Sequence, residues 1–462
     1  MKALGVTHSV CEACRAIVPA KVFEQGGDVF FEKFCPEHGT SRSKVRADVD
    51  DYLRTLRYVK PAWVPQEFSG NSTRPCPDGC GYCSRHEQHL CMPIVEITSR
   101  CDLACPVCLV DAGRPWDLSR EELSKMLDRL IAAERQIDVL NLSGGEPLVH
   151  PDLLGLVDEA LRRPEIVRVS ISTNGLSLLA DPGLADQLGQ RNVVVSLQFD
   201  GFEAATYARM RGRGELAAIK RDLVETLVAE DLAASLTVTL ARGVNERELP
   251  AILDLFLAHD NLLSMTIQPF SHEGGGLGFV HDPLDRVTIP EVIRLLADGS
   301  RGVVDSGDFT PLPCCHPTCF CLTFLLRVQG GGWLPIKRIL PVDDYLDLIR
   351  NRSYASPDDS NVDRMRNLMY ELWSGPVAQL PQSEGALKTI KAILRQIEAA
   401  RGPSPKETVR IAERRMKSIY IHQFMDAETF DVSRVRRCCT VYPKEDGRFY
   451  PMCVYNVLHR GR

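Results

Sequence analysis

The chain has 462 residues, 44% of them hydrophobic and 25% charged, with a formal net charge of -6; this is the balance of a water-facing globular protein of roughly two to four domains. It predicts no nucleic-acid partner, since no basic run offers a phosphate footprint, and no apolar stretch nears the ~20 residues of a membrane span. The first residues have no apolar signal-like core, so the expectation is a cytoplasmic protein, and the 17 cysteines, an odd number gathered in short stretches, read as metal ligands rather than disulfides.

In chain order, residues 1–91 are short segments punctuated by Cys, Pro and Gly, predicting a small N-terminal metal-binding module. Cys11, Cys14, Cys35 and His38 supply four donors for a mononuclear Zn or Fe site, unless His38 only caps a turn and the fourth ligand is a thiolate of the next group. Between them the Gly26-Gly27 pair predicts a hairpin. Cys76, Cys80, Cys83 and Cys91, with His86 and His89 interspersed, suit either a [4Fe–4S] cluster or a zinc site sharing a histidine.

Residues 92–270 alternate apolar strand and amphipathic helix. Strands are predicted at 94–97, 137–142, 167–171, 193–199, 236–240 and 264–268, and helices at 120–134 (with Ser119 as N-cap), 151–161, 215–229 and 247–258. Six such units predict an α/β fold, a partial (β/α)6 barrel of the TIM type. From 271 to 462 the period breaks down. Helices are expected at 289–296 and 385–398, a polar surface loop at 351–363, and a short hairpin at the Asp446-Gly447 turn. The remaining cysteines lie here: Cys314, Cys315, Cys319 and Cys321, then Cys438, Cys439 and Cys453. Neither group has four well-spaced ligands alone. Together they predict one auxiliary cluster over the barrel mouth, the ligating member of each adjacent pair being left open.

The chemistry is concentrated after the first barrel strand. Cys101, Cys105 and Cys108 are spaced C-x3-C-x2-C, three thiolates from one loop for three irons of a [4Fe–4S] cube; as a tetrahedral zinc set they lack a fourth ligand. At the ends of the following strands stand Gly144, Gly145, Glu146 and Pro147, then Thr173 and Asn174, then Ser196, Gln198 and Asp200, and after the fifth strand Asn245. This order resembles the radical S-adenosylmethionine (SAM) superfamily, although Val107 stands where most members carry an aromatic residue. The resemblance implies that the open fourth iron takes SAM, that electron transfer from the reduced cluster yields a 5′-deoxyadenosyl radical, and that the strand-end residues contact SAM. It also implies a reducing electron donor such as flavodoxin or ferredoxin.

Three stretches narrow the resemblance: Cys76 to Cys91 leading into the cluster loop, Arg286 to Cys319, and Ile421 to Cys438. With Cys35-Pro-Glu-His38-Gly they look like the archaeal tetraether lipid synthase group, whose members were earlier described as pterin methyltransferases. That implies one or two auxiliary [4Fe–4S] clusters, hydrogen abstraction from an unactivated alkyl carbon, and C–C bond formation or alkyl modification of a lipid or other small-molecule substrate, with peripheral contact to the inner membrane face. A pterin-directed radical SAM methyltransferase and a non-catalytic iron–sulfur scaffold are the alternatives.

Overall fold

The computed structural model describes residues 1–70, 74, 76–110, 115–340, 342–350, 382–400 and 403–460; the expected surface loop at 351–363 lies outside them. The N-terminal module is an antiparallel sheet of β1 (Lys2–Val10), β2 (Ile17–Gln25), β3 (Asp28–Cys35) and β4 (Gly39–Arg46) in that order. The predicted hairpin joins β2 to β3, and both turn glycines, Gly26 and Gly27, have positive φ (64° and 88°), as the tight hairpin turn requires. A small core of Ala20, Val22, Val29 and Phe31 backs this sheet.

The six predicted barrel strands are β5 (Met92–Thr98), β6 (Ile137–Gly144), β7 (Ile166–Thr173), β8 (Val194–Gln198), β9 (Ala234–Leu240) and β10 (Leu262–Pro269), all paired in parallel. The helix Arg120–Glu134 starts where expected because Ser119 and Glu122 form a reciprocal capping box. The pattern had not shown the short helices Leu176–Ala180, Pro182–Gln190 and Ala204–Arg211.

The sheet continues beyond residue 270. After β11 (Thr310–Pro311) come β12 (Phe320–Arg327), β13 (Trp333–Pro335), β14 (Met416–His422), β15 (Thr440–Pro443) and β16 (Phe449–Pro451). β14 adds in parallel to β10 with Ser418 opposite Ser264, and β12 lies antiparallel on β14. At the other edge β15 pairs in parallel with β5, and β15 and β16 form the predicted hairpin. Within β5 the buried Glu96 is clasped by Lys444 and Arg460.

Side chains alternate along every barrel strand. Leu140, Leu142, Val169, Ile171, Val195, Leu197, Leu236, Val238, Met265, Ile267, Ile419 and Ile421 face outward into the main apolar core, each contributing about 1.5–3 kcal/mol by burial. The inward positions carry instead a run of small hydroxyl residues, including Ser143, Ser170, Ser172, Ser196, Ser235, Thr237, Ser264, Thr266 and Ser418, which border a cavity of about 400 Å³. A TIM-type interior is ordinarily filled by bulky branched residues. Here small ones leave it hollow. Among the described residues no helix is long and apolar enough to cross a membrane.

Candidate active site and metal centres

The cysteine loop begins where β5 ends. Leu103 N–H donates to Cys101 Sγ at 3.5 Å and Val110 N–H to Cys108 Sγ at 3.4 Å, while Cys105 is in contact with the Arg211 guanidinium. Each sulfur therefore has a donor that favours a thiolate, as cluster ligands need. Burial pushes the Cys101 thiol up to about 11, a cost that bound iron would remove. The residues fit a [4Fe–4S] cluster held by three cysteines. Val107 packs on Met210, Ala241 and Phe279.

The turn after β6 is built against this loop. Gly145 N–H donates to the Thr98 carbonyl and Glu146 N–H to the Arg100 carbonyl, both at 2.7 Å. A Cβ on Gly144, whose φ is +124°, would meet Thr98 O at 2.2 Å, and one on Gly145 would meet Arg100 O at 2.1 Å; only glycine permits so close an approach. Pro147 then opens a short 3-10 turn. The Glu146 carboxylate accepts from Leu148 N–H (3.0 Å), Thr173 Oγ1 (2.5 Å) and Asn174 N–H (2.7 Å). It is 2% exposed, and burial raises it to about 7 despite these donors. Asp102 lies close by, held by Asn174 Nδ2 at 2.6 Å. A buried carboxylate with a second, solvent-exposed one beside it suits a cationic ligand, and the SAM ammonium is one.

At the end of β8, Asp200 is gripped by Arg211 (Nε–Oδ2 2.6 Å) and by Gln198 Nε2 at 2.5 Å. Since Arg211 also touches Cys105, this group ties the fourth strand to the cluster loop. Lys220, which the sequence pattern did not single out, donates to the carbonyls of Asn174 (2.5 Å) and Gln198 (2.9 Å); burial, then the Arg211 charge, lowers it to about 7. Ser196 pairs with Ser235 (3.2 Å) and Thr237 (3.1 Å) on the cavity wall. Asn245 is fully buried, with its amide committed to Asp200 O and Thr239 O and its oxygen to Ala241 N–H. Its side chain fastens the fifth strand end.

The outlying cysteines group differently from their order in sequence. Cys11, Cys14, Cys35 and His38 do converge: their ligand atoms lie within 4.8 Å of one another, with His38 Nδ1 3.6 Å from Cys11 Sγ and 3.5 Å from Cys35 Sγ. Cys76, Cys80 and Cys83 share a small cavity, but Cys91 does not join them. It touches Cys314 and Cys439; Cys315 in turn touches Cys314 and lies 3.0 Å from Cys439 Sγ, closing a ring of four thiols. Gln88 Nε2 donates to Cys91 Sγ (3.4 Å) and Cys314 Sγ (3.3 Å). Cys319, Cys438 and Cys453 surround another small cavity with His422, Met425 and Arg434.

The single auxiliary site expected from Cys314, Cys319, Cys438 and Cys453 is thus two groups. The reason is local: successive residues point to opposite sides, so Cys438 and Cys439 serve different groups. Cys321 stands apart, and burial pushes it up to about 12, as for an ordinary core thiol.

The large cavity links these elements. Leu109 and Val110, directly after Cys108, border its upper end, Cys91 and Cys439 form part of its wall, and Arg168 and Glu413 lie at its floor, paired at 2.7 Å. The alternation of hydroxyl and apolar residues in Val169-Ser170-Ile171-Ser172, Ser235-Leu236-Thr237-Val238 and Ser264-Met265-Thr266-Ile267 is the signal that could have revealed a hollow barrel. A parallel sheet covered on both faces is usually apolar throughout.

Residues 95–256 match the family model described as the Radical SAM superfamily, and residues 3–46 match that of the HMPTM N-terminal zinc ribbon domain. The chain is 28% identical to a protein of Methanocaldococcus jannaschii named 7,8-dihydro-6-hydroxymethylpterin dimethyltransferase, across 98% of this chain and 94% of the relative. It is 30% identical to a GTP 3′,8-cyclase of Chlorobaculum tepidum, over 38% of this chain and about half (53%) of the cyclase. The crystal structure of Streptococcus suis SuiB bound to precursor peptide SuiA aligns with a TM-score of 0.39 at 13% identity, covering 47% of each chain. The cysteine loop and the glycine–glycine–glutamate turn packed on it lie within the matched span, and this stretch of the chain is a radical SAM domain.

Proposed function

We propose that this enzyme abstracts hydrogen from an unactivated carbon of an alkyl chain seated in the barrel, leading to C–C bond formation or alkyl modification of a lipid. The observation that carries this reading is the hollow interior, which runs from the cysteine loop to the Arg168–Glu413 floor. Its hydroxyls are turned on one another where the bonds are resolved: Ser196 with Ser235 and Thr237, and Ser172 with Asn141 at 3.0 Å. A lining that is mostly carbon, with these hydroxyls paired along it, suits an alkyl chain better than a heteroaromatic ring rich in donors and acceptors.

The cluster and SAM, when bound at Cys101, Cys105 and Cys108, supply a 5′-deoxyadenosyl radical. The chain's own residues do the rest. Glu146, held by Thr173 and Asn174, receives the SAM ammonium; Gly144 and Gly145 let the backbone close on it; Arg211 fixes Asp200 beside Cys105; and the barrel wall excludes water from the reacting carbon. Cys91, Cys314, Cys315 and Cys439 would hold an auxiliary [4Fe–4S] cluster, two of whose ligands border the cavity. Cys76, Cys80 and Cys83, and Cys319, Cys438 and Cys453, offer two further candidate sites. A reducing donor of the flavodoxin or ferredoxin kind and peripheral contact with a membrane complete the proposal.

The second reading, methyl transfer to a pterin-like molecule, is favoured by the name of the Methanocaldococcus jannaschii relative. Product mass separates the two. Anaerobic incubation with reductant, SAM and either extracted lipids or a reduced pterin is expected to give lipid species joined with loss of two hydrogens, or otherwise altered in the alkyl chain. A methylated pterin with unaltered lipids would establish the second reading instead.

A further inference from the structure

Between β10 and the helix Ile289–Gly299 the chain crosses the barrel mouth before turning back. Gly274–Gly278 form a 3-10 turn laid on the cysteine loop: Gly276 N–H donates to Cys108 O at 3.0 Å, and a Cβ on Gly274 would meet Leu109 O at 2.4 Å. On either side of this turn stand His272 and His281, their ring centroids 4.0 Å apart.

Both rings face one carboxylate from the segment after β14. His272 Nδ1 lies 3.2 Å from Glu428 Oε1, and His281 Nε2 lies 2.8 and 2.9 Å from the two Glu428 oxygens. Donor atoms of all three residues fall within 4.8 Å of one another. The far nitrogen of His272, Nε2, is 3.0 Å from the Leu277 carbonyl oxygen, a contact that only an N–H can make. In the neutral ring Nδ1 therefore carries a lone pair aimed at a carboxylate oxygen. Either a second proton sits on that ring, stacked against its neighbour, or one cation serves all three groups. An imidazole oriented by a backbone carbonyl on its far side has the usual posture of a metal ligand.

The carboxylate is also held in place. Arg286 donates to Glu428 Oε2 at 2.6 Å and pairs with Asp426. That arginine–aspartate pair is neutral as a unit, so Glu428 keeps a net negative charge for a cation. Lys33 and Ser43 of the N-terminal sheet donate to the Glu428 carbonyl oxygen at 3.0 and 2.6 Å, anchoring the backbone that presents it.

We propose that His272, His281 and Glu428 form a mononuclear site for a first-row divalent cation of the zinc or ferrous class, which clamps the Gly274–Gly278 turn onto the radical SAM cysteine loop. Two imidazoles and a carboxylate are a donor set such ions accept, with the remaining positions open to water. The site is separate from the cysteine groups and joins three parts of the molecule: the N-terminal sheet, the segment after β10 and the segment after β14.

The test uses the cluster-loaded enzyme, in which the thiolates are already occupied. After anaerobic incubation with Zn2+ and desalting, wild type is expected to carry one zinc ion per chain more than the His272→Asn/His281→Asn variant, with equal iron in both. Zinc should also protect the 271–284 segment from limited proteolysis in wild type alone. Equal zinc content would overturn the site. Cobalt(II) titration of the wild-type holoenzyme gives a reading that needs no variant. The expected result is a weak visible d–d spectrum saturating at one added cobalt per chain, without sulfur-to-cobalt charge transfer; failure to take up cobalt, or a thiolate spectrum only, would overturn the proposal equally.

Discussion

Glu146 shows how one residue links fold to ligand. Burial raises its carboxyl from an ordinary 4.5 to about 7, so the unfolded chain gives up this proton first and the fold loses stability as pH rises through that interval. An ammonium beside it favours the carboxylate and reverses the effect. SAM affinity is therefore expected to strengthen as pH is raised from about 6 to 8, and Glu146→Gln should flatten that dependence and weaken binding by roughly 1.5–3 kcal/mol. Calorimetric titration at several pH values checks both; a variant with wild-type affinity would mean that the ammonium sits elsewhere. The position of Glu146 against the cysteine loop was legible in the sequence, because the Gly-Gly-Glu turn directly follows the second barrel strand. Lys220 was not, because a lysine inside a helix reads as solvated until the fold buries it against the Asn174 and Gln198 carbonyls.

At the scale of elements, the six parallel strands and the helix Arg120–Glu134 could be read from periodicity alone, since each repeats a local pattern over enough residues. β12 and β14 could not. β12 is a short continuous apolar run, Phe-Cys-Leu-Thr-Phe-Leu-Leu-Arg, which fits strand or helix equally, and the partner of β14 is β10, about 150 residues earlier. The grouping of Cys91 and of the C-terminal cysteines could not be read for the same reason: Cys91 meets Cys439 because β15 pairs beside the start of β5. The regrouping has a measurable consequence. Cys439→Ala and Cys453→Ala should each lower the iron of the reconstituted protein by up to four atoms, the double variant should lose the sum, and 5′-deoxyadenosine should still form because Cys101, Cys105 and Cys108 are intact. If the double variant loses no more iron than either single one, the two cysteines share one site.

At the scale of the whole molecule, the barrel interior is hollow, bordered at one end by Leu109 and Val110 of the cysteine loop and at the other by the Arg168–Glu413 pair. We propose that an alkyl carbon in that interior is the hydrogen donor. The direct measurement is anaerobic turnover with reductant, SAM and a lipid deuterated along its alkyl chains, followed by mass spectrometry of the 5′-deoxyadenosine released. Deuterium is expected in that product, rising with lipid consumed. 5′-Deoxyadenosine formed in the same amount with no deuterium would contradict it.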